Sequence, residues 1–490
     1  MTSLIPPSFR LPSSIIVRAR QRARFRWIPS RVLVIGAQLV LGSCGLIEQA
    51  VDRSVNAVYD DPAPDITGPG DADFAQAAFV ADLHADTLLW NRDLLEQGRW
   101  GHVDLGRLAD GGTNLQVFAV VTRTPAPRRA PKGAKLQPEA AASRDPKCIA
   151  MDNFSPIGLL QFVQSRPVAN WFSMEARALH QAERLKDAVA RSEHPSRDGP
   201  RLSFVAEAED VARLAETRPE NRREIGALLA LEGAHWVSED PADARAAVDR
   251  LHDAGFRMVA PTHRFGNALA ASSEGCDQLA GLTEAGTAFL KHAEAKGMII
   301  DLAHISDRGL LEAIEVLEEP VVISHAGLRF DCPAAMAPEH HCVPIRGLTE
   351  DGVRAVAKNG GVIGMGYWPQ AVGFGVARIA AAMRTAHETL SVEPFASEMA
   401  EIRPGYDPAD HLALGSDFDG AVKTPFDASG LDDLVAELRR PDAQGRRYFS
   451  DEDIRKMLGM NACRVMARRL PGGSEALAEE VCVVPEPAGG

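Results

Sequence analysis

At 490 residues the chain has length for one large folded domain with extensions, and an apolar fraction of 45% with 24% charged residues excludes wholesale disorder. A formal net charge of -14 argues against general nucleic-acid binding. The seven cysteines include no Cys-x-x-Cys pair, which argues against a cysteine zinc site; Cys332 and Cys342 close a short loop that an oxidising compartment would allow to pair.

Residues 1–31 carry Arg10, Arg18, Arg20, Arg22, Arg24, Arg26 and Arg31 and no acid, and 32–47 are mostly apolar. A basic region before a short apolar run is the pattern of a secretory signal or an N-terminal anchor. The basic flank is expected to stay in the cytoplasm and send the remainder across. Leu41-Gly42-Ser43-Cys44 resembles a bacterial lipoprotein cleavage site, with Cys44 as the lipidated first residue. The run is short for a full span of about 20 residues, so lipidation and an uncleaved anchor both stay open. Residues 1–50 are thus expected to be a signal or anchor segment, and the protein to be exported and membrane-attached, facing the periplasm or the extracellular side. Residues 51–73, rich in Asp, Pro and Gly, are expected to be a linker, 74–470 the folded domain and 471–490 a tail.

Eight strand-like runs follow. They are Phe79 to Leu83, Leu115 to Val121, Gly226 to Leu231, Arg257 to Pro261, Met298 to Leu302, Pro320 to Ser324, Gly361 to Tyr367 and Leu412 to Ser416. Helical periodicity lies between them, at Ala242 to Ala254, Thr283 to Lys296, Ser306 to Leu317 and Thr349 to Lys358. This alternation predicts an α/β fold, a (β/α)8 TIM-like barrel, with an open doubly wound sheet as the rival. Residues 122–156 and 330–345 are irregular insertions. Ser165 to Ser192 is expected to be helical, with Trp171, Phe172, Leu179 and Leu185 as its apolar side, and Asp451 to Leu470 to be a closing helix.

Polar residues gather at the carboxyl ends of these strands: His84 and Asp86, Glu232, His263, His304, His325, then Asp417 and Asp419. In a barrel that rim is where chemistry sits. Three histidines with an aspartate and a glutamate form a mixed ligand set suited to zinc or a similar divalent ion. His84 and Asp86, two apart in extended chain, face one side. Glu232 ends an apolar run, where a lone carboxylate is costly and a cation explains it. His263 is read as a sixth ligand, a hydrogen-bond donor in the transition state, or a rim residue. Asp417 suits proton transfer beside metal-bound water. Asp419 is expected to hold the turn, His235 to be structural, and His340 and His341 to lie on the surface.

Asp82-Leu83-His84-Ala85-Asp86, Leu231-Glu232-Gly233-Ala234-His235, Pro261-Thr262-His263, Ile300-Asp301-Leu302-Ala303-His304, Ser324-His325 and Gly415-Ser416-Asp417-Phe418-Asp419-Gly420 together resemble the membrane (renal-type) dipeptidases, zinc peptidases on an amidohydrolase-like barrel. The resemblance runs from about Phe79 to Arg468. It implies two zinc ions sharing Glu232, with His84 and Asp86 on one, His304 and His325 on the other, and a bridging hydroxide that attacks the peptide carbonyl. His263 would stabilise the oxyanion and Asp417 would pass the proton to the departing amine. Arg346-Gly347-Leu348-Thr349 resembles the segment whose arginine grips the substrate carboxylate, as a guanidinium can through paired hydrogen bonds. The family usually has asparagine where Gly347 stands, and the stretch from His325 to Arg346 is longer than usual, so Arg329 competes with Arg346.

The expected function is therefore zinc-dependent hydrolysis of small dipeptides. The alternative is hydrolysis of cyclic amides, lactams or esters on the same barrel. Nucleic acid is not an expected partner; membrane attachment through the N-terminal segment is, and a homodimer is one arrangement open to the chain.

Overall fold

The computed structural model describes residues 45–61, 68–124, 156–217, 223–330 and 346–484. Nine strands form its sheet: β1 (Val80–Ala85), β2 (Thr113–Val121), β3 (Arg201–Val205), β4 (Glu224–Glu232), β5 (Met258–Ala260), β6 (Ile299–Ile300), β7 (Val322–Ala326), β8 (Val362–Met365) and β9 (Leu412–Leu414). Every pairing is parallel, in the order β6-β5-β4-β2-β1-β9-β8-β7, with β3 on β4. Eight strands answer to the eight expected runs. The ninth, β3, was not expected. Its Arg-Leu-Ser-Phe-Val sequence is neither a continuous apolar run nor fully buried, because it borders only the first half of β4, where Ser203 pairs with Gly226; β5 takes the second half.

The two ends of that order meet. Asp301 bridges to Val322, and the Leu302 amide donates to the Val322 carbonyl at 2.8 Å. The sheet is thus wrapped barrel-fashion, with its carboxyl ends on one rim. One apolar cluster draws on all nine strands and on Cys463, Val465 and Met466; a larger one packs the other face against helical residues such as Leu251, Phe289, Leu310, Val353 and Ile379. Each such leucine or phenylalanine stabilises the fold by about 1.5–3 kcal/mol.

The expected helices form with side-chain caps. Ser306 caps Asp307–Val316, Thr283 caps Glu284–Ala295, Thr349 caps Glu350–Asn359, and Asp240 caps Pro241–Asp253. The closing helix contains a π-helical turn, Lys456–Met460, in which a Cβ on Gly459 would stand 2.2 Å from the Phe79 carbonyl.

Four expectations need correction. The helix expected over Ser165 to Ser192 begins only at Val168, after left-handed Ser165 and Pro167, and is split into Val168–Phe172 and Met174–Ser192 at Ser173, whose extended backbone and side-chain oxygen cap the second piece. Its buried side is Ala178, Ala182, Leu185 and Val189; Phe172 and Leu179 are exposed, since Leu179 and Leu185 fall on different faces at about 3.6 residues per turn. The expected linker at 51–73 begins inside a helix, 45–55, whose Glu48 and Asp52 are buried, so packed structure starts well before Phe74. The expected tail folds back as the helix Glu475–Val481 and is tied by a Cys463–Cys482 disulfide. Cys276 is also disulfide-bonded. Cys332, Cys342, His340 and His341 lie outside the described residues, as does nearly all of the expected anchor; among the described residues no helix is long and apolar enough to cross a membrane.

Candidate metal centre

The carboxyl ends of the strands bring the expected residues to one point. His84 lies in β1 and Asp86 just past it, Glu232 ends β4, His263 follows β5, His304 follows β6, His325 lies in β7 and Asp417 follows β9. Glu232 is central. Its Oε1 is 2.8 Å from His304 Nε2, 3.5 Å from His325 Nε2 and 3.7 Å from His84 Nε2, and its Oε2 is 3.5 Å from His263 Nε2. His84 Nε2 is 3.7 Å from Asp86 Oδ2 and 4.0 Å from Asp417 Oδ1. All seven side chains are buried. His304 and Asp417 adopt left-handed backbone, φ 63° and 59°, a conformation uncommon for residues with a Cβ.

A supporting layer fixes the rings. Ser324 Oγ lies 3.3 Å from His84 Nδ1 and 2.9 Å from His325 Nδ1, which turns both Nε2 atoms inward. Asp82 accepts from the Ser416 amide and hydroxyl and from Gln116, locking β1 to the turn after β9. Asp301 accepts from the Ala303 and Ser324 amides, tying the two histidine-bearing strand ends together. Glu274, which no sequence pattern singled out, lies 3.5 Å from His304 Nδ1 and pairs with Arg264. Trp368, likewise missed, lies under the Arg346 guanidinium. Their signals were weak: Glu274 sits in an irregular loop and Trp368 just beyond β8.

The ring nitrogens define further roles. His263 Nδ1 faces the Arg123 carbonyl at 3.1 Å. A carbonyl only accepts, so this contact places the proton on Nδ1 and leaves a lone pair on Nε2. Arg346 donates to the His325 carbonyl and faces His304 Nε2, both at 3.1 Å. Arg329 is engaged with Asp307 in a two-pronged pair. Asp419 accepts from Thr87 Oγ1 and the His102 amide and pairs with Arg92, as expected of a turn holder. His235 stacks on Phe265 and accepts from the His263 amide, a structural place.

The electrostatics favour a cation. Burial, then Asp86, raises Glu232 well above the usual carboxylate range. Burial lifts Asp417 to about 8 against the pull of His84. Burial opposes charge on His84, yet Glu232, Asp86 and Asp417 together push it up to about 10. Burial, aided by Arg346 at His304, His84 at His325 and Arg264 at His263, pushes these three imidazoles well down, so they stay neutral as ligands must be. His84 Nε2, Asp86 Oδ1 and Glu232 Oε2 are buried without a hydrogen-bond partner. Within the cluster, His84, Glu232 and His325, then Glu232, His263 and His304, and also His84, Asp86 and Asp417 each present ligand atoms close enough for one ion. Crowded carboxylates, imidazoles and orphaned buried polar atoms together fit divalent cations.

The family model described as membrane dipeptidase (peptidase family M19) matches residues 72–470. The chain is 29% identical over 251 residues to dipeptidase verJ of Clonostachys rogersoniana, covering 49% of this chain and 55% of that one. It is 26% identical over 269 residues to dipeptidase tcpJ of Claviceps purpurea, covering 54% and 55%. It thus spans about half the length of the curated relatives it matches. In fold it is similar to a metallo peptidase from Rhodobacter sphaeroides liganded with a phosphinate mimic of the dipeptide L-Ala-D-Ala, with TM-score 0.54, 20% identity, and coverage of 80% of this chain and 99% of that one. It is also similar to the probable dipeptidase PvdM from Pseudomonas aeruginosa, with TM-score 0.52, 16% identity, and coverage of 83% and 98%. With the family model running from ahead of β1 to the end of the closing helix, over every strand that brings a residue to this cluster, the chain belongs to the membrane dipeptidase family, a family of metallo-hydrolases.

Proposed function

We propose that the chain is a zinc-dependent dipeptidase that hydrolyses the peptide bond of small dipeptides. The observation that carries this is Glu232, with one carboxylate oxygen within 3.7 Å of three imidazoles and the other turned toward a fourth. The meeting of β6 with β7 supports reading the sheet as a closed (β/α)8 TIM-like barrel. His84 and Asp86 would hold one zinc ion, His304 and His325 the other, and Glu232 would reach both. Bound there, a metal pair supplies Lewis acidity and water of lowered pKa.

The chain's own residues do the rest. Asp417, buried beside the cluster with Oδ1 4.0 Å from His84 Nε2, suits taking up a proton there and delivering it to the departing amine. Arg346, buried over Trp368, is better placed than Arg329 to grip a substrate carboxylate, because Arg329 is already paired with Asp307. His263, neutral with its proton on Nδ1, suits a ligand; as a donor to a substrate oxyanion it must carry its proton on Nε2 instead.

Purified protein is expected to carry two zinc ions and to cleave a dipeptide panel, including members with a D-residue at the carboxyl side. Unimpaired turnover by Glu232→Ala would remove the basis of the reading. The alternative, action on cyclic amides, lactams or esters, predicts indifference to amidation of the substrate's carboxyl end. The Cys463–Cys482 and Cys276 disulfides support export to an oxidising compartment, and the basic-then-apolar N-terminus supports membrane attachment, through lipidated Cys44 or an uncleaved anchor. Mass spectrometry of the mature N-terminus decides between those two. A homodimer remains a proposal whose check is the solution mass.

A further inference from the structure

Residues 45–61 precede the stretch that the family model covers, 72–470, yet their buried polar side chains reach the loop that carries Asp417. Asp52 and Asn56 are each 1% exposed. Asp52 Oδ2 accepts from Trp100 Nε1 at 3.0 Å and stands 3.0 Å from Arg92 Nε; its Oδ1 accepts from Asn56 Nδ2 at 2.8 Å. Arg92 carries the contact forward, with its other end 2.7 Å from Asp419 Oδ1. Asn56 Oδ1 accepts from the Ala421 amide at 2.9 Å. The backbone follows the same course: the Tyr59 amide donates to the Thr424 carbonyl, and the Thr424 amide to the Ala57 carbonyl.

The loop so held is strained. Asp417, Asp419 and Ala421 all have left-handed backbone, at φ 59°, 63° and 58°. Residues with a Cβ keep that conformation only where their surroundings over-determine it. Asp419 also accepts from Thr87, the neighbour of Asp86, so one network sets both the Asp86 turn and the Asp417 loop. A buried ion pair is a weak source of net stability, so the chain Asp52–Arg92–Asp419 is better explained by the geometry it fixes.

We propose that Asp52 and Asn56 are positioning residues for the Asp417 loop, which makes the 45–61 segment a working part of the active site. The catalytic half of this inference rests on the reading of Asp417 as the proton carrier.

The test uses the full metal-loaded chain and two variants, Asp52→Ala and Asn56→Ala. The second removes no charge and keeps the question open should the first fail to fold. Hydrogen exchange read by mass spectrometry is expected to quicken by about tenfold in peptides spanning 415–424, with β4 peptides unchanged. Dipeptide kcat is expected to fall about 10–100-fold, with KM and zinc content within about twofold of the parent. Unchanged exchange at 415–424 in folded Asn56→Ala overturns the positioning, and so does a kcat within about twofold of the parent. Faster exchange in a chain whose parent cleaves no dipeptide upholds the positioning and overturns the dipeptidase reading.

Discussion

Ser324 shows how much a single atom can settle. Its hydroxyl meets the Nδ1 atoms of both His84 and His325, so it governs how two neighbouring rings, carried by β1 and β7, present Nε2. Ser324→Ala is expected to weaken metal binding about 10–100-fold, read by titration of metal-free protein against a chromophoric chelator. Asp417→Asn is expected to lower kcat about 10²–10⁴-fold with metal content retained; normal turnover would remove Asp417 from proton transfer. The clustering of these side chains was legible because a histidine or carboxylate closing an apolar run is costly to bury unless a cation or an opposite charge meets it. Glu274 was not legible, since its partners His304, Arg264 and Arg346 meet it only through the fold. Nor did the residue types around His263 choose among its roles; the Arg123 carbonyl bears on that choice, and no spacing in the chain announces it.

At the scale of elements, the departure at Gly347 has a steric cause. A Cβ there would lie 2.5 Å from the Arg329 amide nitrogen and 2.6 Å from the Leu328 carbonyl carbon, because the two segments run together through the Leu328–Leu348 bridge. Gly347→Asn is expected to displace Arg346 and raise KM for dipeptides more than it lowers kcat, read by steady-state kinetics. The disulfide joining the closing helix to the last helix spans a sequence separation of 19. A loop of that size stabilises by about 3 kcal/mol. The paired change Cys463→Ala with Cys482→Ala is therefore expected to lower the melting temperature by a few degrees without altering metal content. The capped helices were legible from the period of their apolar residues. β3 was not, because its apolar residues alternate incompletely, and the 45–55 helix was obscured by the linker-like Asp, Pro and Gly residues that follow it.

Across the whole molecule, acid should find the buried neutral histidines. His411 is fully buried just ahead of β9, with Nδ1 2.9 Å from the Gly361 carbonyl, and burial pushes its pKa down to about 3 from an ordinary 6.5. The unfolded chain takes up that proton near 6.5 and the folded one does not. The stability from this group is therefore full above about 6.5 and falls as pH drops toward 3. Melting curves across that window are expected to shift down on acidification, with a flatter slope for His411→Gln. The order of strands was legible from alternation, but the contact between β6 and β7 was not, since it depends on two strands that share no local pattern. Where the sheet joins its own beginning, the link is slight: the Asp301–Val322 bridge, the Leu302 amide on the Val322 carbonyl and the Ser324 amide on Asp301. His304 and His325 stand on either side of that slit, so ions gripped by both would act as a clasp across it. Chelation should accordingly let the Leu302 and Ser324 amides exchange sooner than those between β2 and β4, and equal protection with and without metal would show that the slit needs no clasp.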